Sequence, residues 1–497
     1  MAVESCGYVP VNPDEEDHEG SSNSSRQAVI LEPGDHRISV MDEGCAARAL
    51  LEDGQKSFEV DQGAKPRRID SGIQRPRLSS LDVFRGLTVI LMILVDDAGG
   101  IFPAINHSPW DGVTLADFVM PFFLFMVGVS IALAHKRLPS KLVATKRAAL
   151  RACKLLMIGL FVQGGFLHGI NDLSYGVDIS RIRWMGVLQR IAIAYLVAAL
   201  CEIWLKDEVD PSTKIVSLFT KYKNQWVLSL VLTMIYLSLL YGLSVPDWQY
   251  IALSTATNSS VPVTFSVKCG LRGDTSPACN AVGMIDRKVL GINHLYRKPT
   301  YLRTKQCSTK SPANGPLPPN APSWCQAPFD PEGLLSSVMA IVTTLIGLHF
   351  GHIMVHFKAR HQQFLFMSLH QLSMLSKMIL CYGAGMSLNK ALYSLSYTCI
   401  TAGVGGILFA AIYTLVDVYE YRRPMFLLEW VGTHSLKVFV IVACNIWLLG
   451  LQGFYLKEPK NNIVSEISIF FICGQLLETL LEVFQKQAIG FFTLLRQ

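Results

Sequence analysis

RLSSLDVFRGLTVILMILVDDAGGIFPAINHSPWDGVTLADFVMPFFLFMVGVSIALA, residues 77–134, decides how the chain is read. Two apolar segments flank a short turn, each near the roughly 20 residues that carry a helix across a hydrocarbon core. The first segment ends in Asp96 and Asp97, the turn holds His107, and the second opens close to Asp117. Ionisable groups are costly in an apolar span, so this concentration reads as a reaction centre, a transport path or a paired piece of membrane architecture.

Working outward, the composition agrees with a membrane chain: of 497 residues, 51% are hydrophobic and only 16% charged. Runs of this length favour helices over a barrel, so the expected fold is an all-α polytopic membrane protein. Ten spans are predicted, at 83–102, 115–134, 148–167, 185–205, 226–245, 334–354, 364–386, 397–416, 425–451 and 463–484. Residues 1–77, rich in Glu, Asp, Ser and Gly, read as a disordered cytosolic tail without the apolar run of a signal peptide. A bundle over 78–487 and a cytosolic C-terminal tail, 488–497, complete the expected organisation.

Basic residues orient it. Lys136, Arg137, Lys206, Lys221, Arg360 and Arg422 fall in the loops that a cytosolic N-terminus leaves inside, whereas 101–114 holds no Lys or Arg. That asymmetry follows the positive-inside rule. The long polar segment 246–332 is then lumenal or extracellular, and four of the twelve cysteines lie there. Pairing nearest neighbours, Cys269 with Cys279 and Cys307 with Cys325, closes two short loops without threading either. The acceptor pattern Asn258-Ser259-Ser260 suits the same oxidising, glycosylating side.

Several side chains could carry chemistry. His107, within reach of Asp96 and Asp97 at the end of the preceding span, could act as base or nucleophile near neutral pH with a carboxylate holding its tautomer. Its bland reading is a hydrogen-bonded interfacial histidine. Arg147, Arg151 and Lys154, spaced by four and three, share one helix face suited to phosphates from the cytosol, or to snorkelling. Arg190 lies deep enough that a bound anion could be its partner. On the lumenal side, Asp286, His294, Asn389 and Lys390 could bind a sugar or an amine. Zinc-ligand spacings and glycine-rich nucleotide fingerprints are absent from the sequence, and no metal site or nucleic-acid partner is expected.

RLSSLDVFRGL, the His-x-x-Trp-x-Gly of His107 to Gly112, LADFVMPFFLFMVGVSIAL, RIRWMGVLQRIAIAYL, GMIDRKVLG, FDPEGLL and NKALYSLSY together resemble the heparan-α-glucosaminide N-acetyltransferase family of membrane acyltransferases. The resemblance implies acetyl transfer across the membrane, from cytosolic acetyl-CoA to a lumenal amino sugar or glycan, with His107 catalytic. It also implies that Arg151, at a family Arg position, meets CoA, with Arg147, Lys154 and Arg190 as its helpers. Where the heparan-degrading enzyme has an Asn eleven residues before the histidine, this chain has Asp96, which the resemblance makes the expected orienting carboxylate of His107. A further expected departure is the absence of the family's N-terminal lumenal domain. The expected location is an endomembrane of lysosome, vacuole or Golgi, or the plasma membrane; a homodimer is left open. The rival reading is a proton-coupled transporter of a sugar or acyl compound, with Asp96, Asp97, Asp117, Arg190 and Glu478 as relay.

Overall fold

The computed structural model describes residues 78–443 except 101, 136–139, 165–181, 207–219, 254–261, 297 and 358–359. Before residue 78 it describes only Gln27–Val29 (β1) and Val40–Asp42 (β2), which pair antiparallel within the unit Met1–Pro76. The disorder expected elsewhere in that unit, the glycosylation pattern at Asn258, the tenth expected span with Glu478, and the C-terminal tail all lie outside the described residues.

The second unit is mainly helical. Its longer helices are α1 (Ser79–Ala98), α2 (Leu115–Ala134), α3 (Lys141–Gly164), α4 (Val187–Trp204) and α5 (Lys223–Gly242). After the short α6 (Ala281–Val289) come α7 (Leu334–His356), α8 (Arg360–Gly383), α9 (Leu395–Tyr413), α10 (Phe426–Thr433) and α11 (Ser435–Ala443). Six helices, α2, α4, α5, α7, α8 and α9, are long and apolar enough to cross a membrane, and the pair α10–α11, bent by 64°, makes seven if taken as one span. The chain is thus a multi-pass helical membrane protein. Two of the ten expected spans, α1 and α3, form helices but carry too much charge to count by composition: Asp82, Arg85, Asp96 and Asp97 in one, Lys146, Arg147, Arg151 and Lys154 in the other.

The bundle is built around α7, whose side chains from Leu335 to Met354 are almost all buried. Helix α2 packs against it so closely that a Cβ on Gly128 would stand 2.1 Å from the Thr344 carbonyl oxygen and 2.5 Å from the Leu348 amide nitrogen. Backbone cannot swing aside as a side chain does. Gly128→Val is therefore expected to cost on the order of 3 kcal/mol, read as a fall in Tm of the purified protein in detergent. Helices α5 and α8, by contrast, leave most of their apolar side chains outward, as lipid-facing helices do.

Helices α1 and α2 run in opposite directions and place the turn between them at one end of the bundle. There the turn meets the 243–333 segment and the chain just before α9, since Trp110 Nε1 donates to the Thr275 carbonyl at 3.1 Å and the Gly112 amide to the Leu388 carbonyl at 2.8 Å. This is the loop end. Disulfides join Cys269 to Cys279 and Cys307 to Cys325, as expected. The all-α expectation misses one element here: β3 (Trp248–Leu253) pairs antiparallel with β4 (Pro262–Val267). Alternation accounts for it, because Tyr250 and Val267 are turned inward over Ala278, Cys279 and Ala327 while Ile251 is exposed.

Candidate active site

The residues 107–114 form a turn whose shape is set by its hydrogen bonds. Thr114 and Asp117 make a capping box at the start of α2, and Asp117 sits there fully buried. Its Oδ2 accepts from the Ser108 amide (3.1 Å), the Thr114 amide (3.1 Å) and the Thr114 hydroxyl (3.0 Å). That leaves Oδ1 for His107 Nδ1, at 2.8 Å. Gly112, at φ +106°, supplies the left-handed turn that returns the chain to its bonds with the segment before α9. Arg303 holds the turn from outside, donating through Nη2 to the His107 carbonyl at 2.6 Å.

The same backbone pairing brings Lys390 in. Asn389 bridges to Asp111 through its backbone, donates its side-chain amide to Asp111 Oδ1 at 3.3 Å and accepts from the Leu392 amide at 2.9 Å. Lys390 Nζ then lies 2.8 Å from His107 Nδ1, 3.3 Å from Nε2 and 3.5 Å from Asp117 Oδ1. An ionised carboxylate accepts only, so Asp117 fixes the proton on Nδ1 and the lone pair on Nε2. Burial first, then the Lys390 ammonium, hold His107 below the usual imidazole range, with the Asp117 hydrogen bond working the other way. The outcome is a neutral imidazole with a directed basic nitrogen and a cationic donor beside it.

His107 and Lys390 line a cavity of about 1190 Å³ at the loop end, together with Arg183, Arg303, Trp110 and Glu332. Arg183 is clamped by two carboxylates: Nε donates to Asp330 Oδ2 at 2.8 Å, and Nη2 to Asp330 Oδ1 at 2.5 Å and to Glu332 Oε2. These partners, with burial opposing, hold the Arg183 guanidinium well above its ordinary value.

A smaller cavity, of about 400 Å³, opens at the other end of the bundle. Its wall carries Arg85, Arg151, His434 and Lys437, with no carboxylate among its described residues. Arg151 stands 5.0 Å from the centre of the Tyr195 ring. From Asp117 to Ser130, which lines this second cavity, α2 rises about 20 Å.

The expected site residues divide accordingly. His107 and Lys390 meet, and buried Asn389 supports the backbone that carries Lys390. Asp96 is not the partner of His107: it is exposed near the end of α1, and the buried carboxylate on the ring is Asp117. The Thr114-x-x-Asp117 capping pattern was the signal for this. Arg147 and Lys154 are exposed on α3, but only Arg151 of that stripe reaches the second cavity. Arg190 does not join them. It is buried towards the loop end, donating to Pro331 O at 2.8 Å, Ser337 Oγ at 3.3 Å and Ser336 Oγ, 5.4 Å from the Tyr393 ring centre.

Asp286 and His294 lie outside the described cavity walls. His294 Nδ1 contacts the Ile182 carbonyl at 2.7 Å. Asp286 is wholly buried against the start of α7, Oδ1 accepting from the Leu334 amide at 2.8 Å while Oδ2 has no partner among the described residues. Burial above all, helped by Asp330, pushes its carboxyl up to about 7. Because the folded chain holds this proton more tightly than an unfolded carboxyl at 3.8, the penalty is absent in acid, grows as pH rises, and is complete above about 7. Asp286→Asn should flatten the fall in Tm between about pH 4 and 7 and stabilise the protein at the alkaline end, by up to about 4 kcal/mol.

Residues 77–252 match the family described as heparan-alpha-glucosaminide N-acetyltransferase, catalytic. The heparan-alpha-glucosaminide N-acetyltransferases of Homo sapiens and Mus musculus are each 29% identical to this chain, over 387 and 386 residues, or 73% of it. The chain spans about half the length of these relatives, 52% and 53%. From α1 into β3 by the family match, and over most of its length by these relatives, the chain is similar to the heparan-alpha-glucosaminide N-acetyltransferases.

Proposed function

We propose that this protein is a transmembrane acetyltransferase that moves an acetyl group from cytosolic acetyl-CoA to the amino group of a lumenal glucosaminide or related amino sugar. The observation that carries the reading is the Asp117–His107–Lys390 arrangement in the wall of the larger cavity. Asp117 orients the imidazole. His107 Nε2 then offers its lone pair either to the acetyl carbon or to the proton of the attacking amine. Lys390 stands where negative charge builds on the acetyl oxygen, and a donor placed there favours the transition state over the ground state. On this reading the loop end faces the lumen and both termini the cytosol.

The smaller cavity is the proposed entry for CoA. CoA brings three phosphate groups, and Arg151 and Lys437 offer them cations in this wall, beside Arg85, which Asp82 Oδ1 holds at 2.8 Å. His107 and Arg151 thus serve the two ends of one donor molecule lying along α2. Thioester cleavage is downhill, so transfer needs no further energy source. The family match, the separate cavities and the directed imidazole favour this over the transporter reading, which needs a relay of charges but no oriented nucleophile.

The test is direct. Purified protein in detergent, given labelled acetyl-CoA and glucosamine, should form N-acetylglucosamine, and His107→Ala should lower the rate by at least about 10³-fold. Turnover that survives this substitution would remove His107 from the mechanism. Arg151→Gln should raise KM for acetyl-CoA about tenfold with little change in KM for glucosamine; equal shifts in both would place the phosphates elsewhere.

A further inference from the structure

The larger cavity has an uneven wall. Arg183, Lys298, Arg303 and Lys390 face it as cations, and among its described residues Glu332 alone brings a carboxylate. Asp330, two residues earlier, is sealed away with a fully buried side chain and takes the better share of Arg183, two hydrogen bonds against one. Glu332 also follows a fixed backbone, since its amide donates to Asp330 Oδ1 at 2.9 Å. Its Oε2 meets Arg183, while Oε1 accepts no hydrogen bond from any described residue, and its side chain keeps 11% of its surface exposed. The pair thus separates two jobs: one carboxylate anchors the arginine and the other keeps an oxygen for the cavity.

We infer that Glu332 is the anchor for the ammonium group of the acceptor, fixing the amino sugar in the cavity beside His107. This rests on the acetyltransferase reading and names the group that recognises its second substrate. Among the charged groups of this described wall only Glu332 attracts a cation, which makes the site selective for where the amine lands as well as for its presence. Glu332 is ionised for the purpose: burial opposes its charge, but Arg183, Arg190 and Lys390 together hold the carboxyl below its ordinary value. Glu332 also acts electrostatically on His107, which puts the anchored amine within the field of the reacting imidazole. The Glu332 carboxylate favours the ammonium on binding, the surrounding cations oppose it, and His107 Nε2 is the base that takes the proton released before the amine attacks.

The experiment measures three quantities on the full chain in detergent: KM for glucosamine, KM for acetyl-CoA, and acetyl-CoA hydrolysis without amine. Glu332→Gln should raise KM for glucosamine at least about tenfold more than it changes either donor-side quantity. Glu332→Asp should recover part of the loss, and it decides the matter if the Gln variant does not fold. Added salt should weaken glucosamine binding in wild type more than in Glu332→Gln. An unmoved KM for glucosamine, or donor-side losses in step with it, would overturn the assignment while leaving the acetyltransferase reading intact. Wild-type protein without any His107-dependent turnover would overturn both.

Discussion

Asp117→Asn should lower acetyl transfer by about 10²- to 10⁴-fold while the protein stays folded. The size follows from hydrogen-bond bookkeeping at one side chain. Oδ2 of Asp117 serves two backbone amides and the Thr114 hydroxyl. In Asn the one remaining oxygen must satisfy those donors, so the side-chain NH₂ turns to His107 Nδ1. A donor facing Nδ1 forces that nitrogen to accept, the ring proton moves to Nε2, and the lone pair needed for chemistry is gone. Asp96→Asn should change the rate by less than about threefold, a difference too small for loss of an orienting carboxylate. Rates measured side by side, with Tm as the check on folding, decide it. A small effect at Asp117 and a large one at Asp96 would return the orienting role to the residue that the sequence suggested.

Lys390→Met should cost about 10²-fold in kcat, the usual size of one lost oxyanion donor, and should also move the acid limb of kcat/KM to higher pH. The sign follows from the charge. Lys390, after burial, is what keeps the imidazole below its ordinary value, so removing the cation raises the His107 pKa. Neutral imidazole is the working form, so more of the enzyme is lost to imidazolium at about pH 5 than at about pH 7.5. Lys390→Arg should keep the limb near its wild-type position while recovering only part of kcat, because the guanidinium retains the charge but not the compact geometry. A uniform loss at every pH, unrescued by Arg, would mark Lys390 as structural.

Much of this molecule is legible in its sequence, and the failures have physical causes. Apolar runs such as 334–354 become helices because a buried backbone must bond to itself. The charged stretches of α1 and α3 are helical too, so charge obscured their hydropathy rather than their conformation. The ring partner was misread because Asp96 and Asp117 lie almost equally far from His107 along the chain, and separation in sequence does not reveal which helix end the turn folds back upon. The capping box does. Arg190 looked like an anion site because depth suggests an unmet charge, yet two serines and a carbonyl from the start of α7, distant in sequence, satisfy it. Lys437 and His434 could be seen in the sequence only as polar residues of an apolar segment; their place opposite Arg151 depends on the 64° bend between α10 and α11.

The backbone bond between Gly112 and Leu388 carries a consequence for how this protein is made. Lys390 stands next to His107 across 283 positions of chain, so the pair cannot exist until the ribosome has passed the segment before α9. Early helices can insert and pack while the imidazole still lacks its cationic neighbour and the larger cavity lacks part of its wall. On the proposed acetyl-transfer reading, a nascent or truncated chain ending before that segment has the histidine without the cation beside it, and so should waste little acyl donor during synthesis.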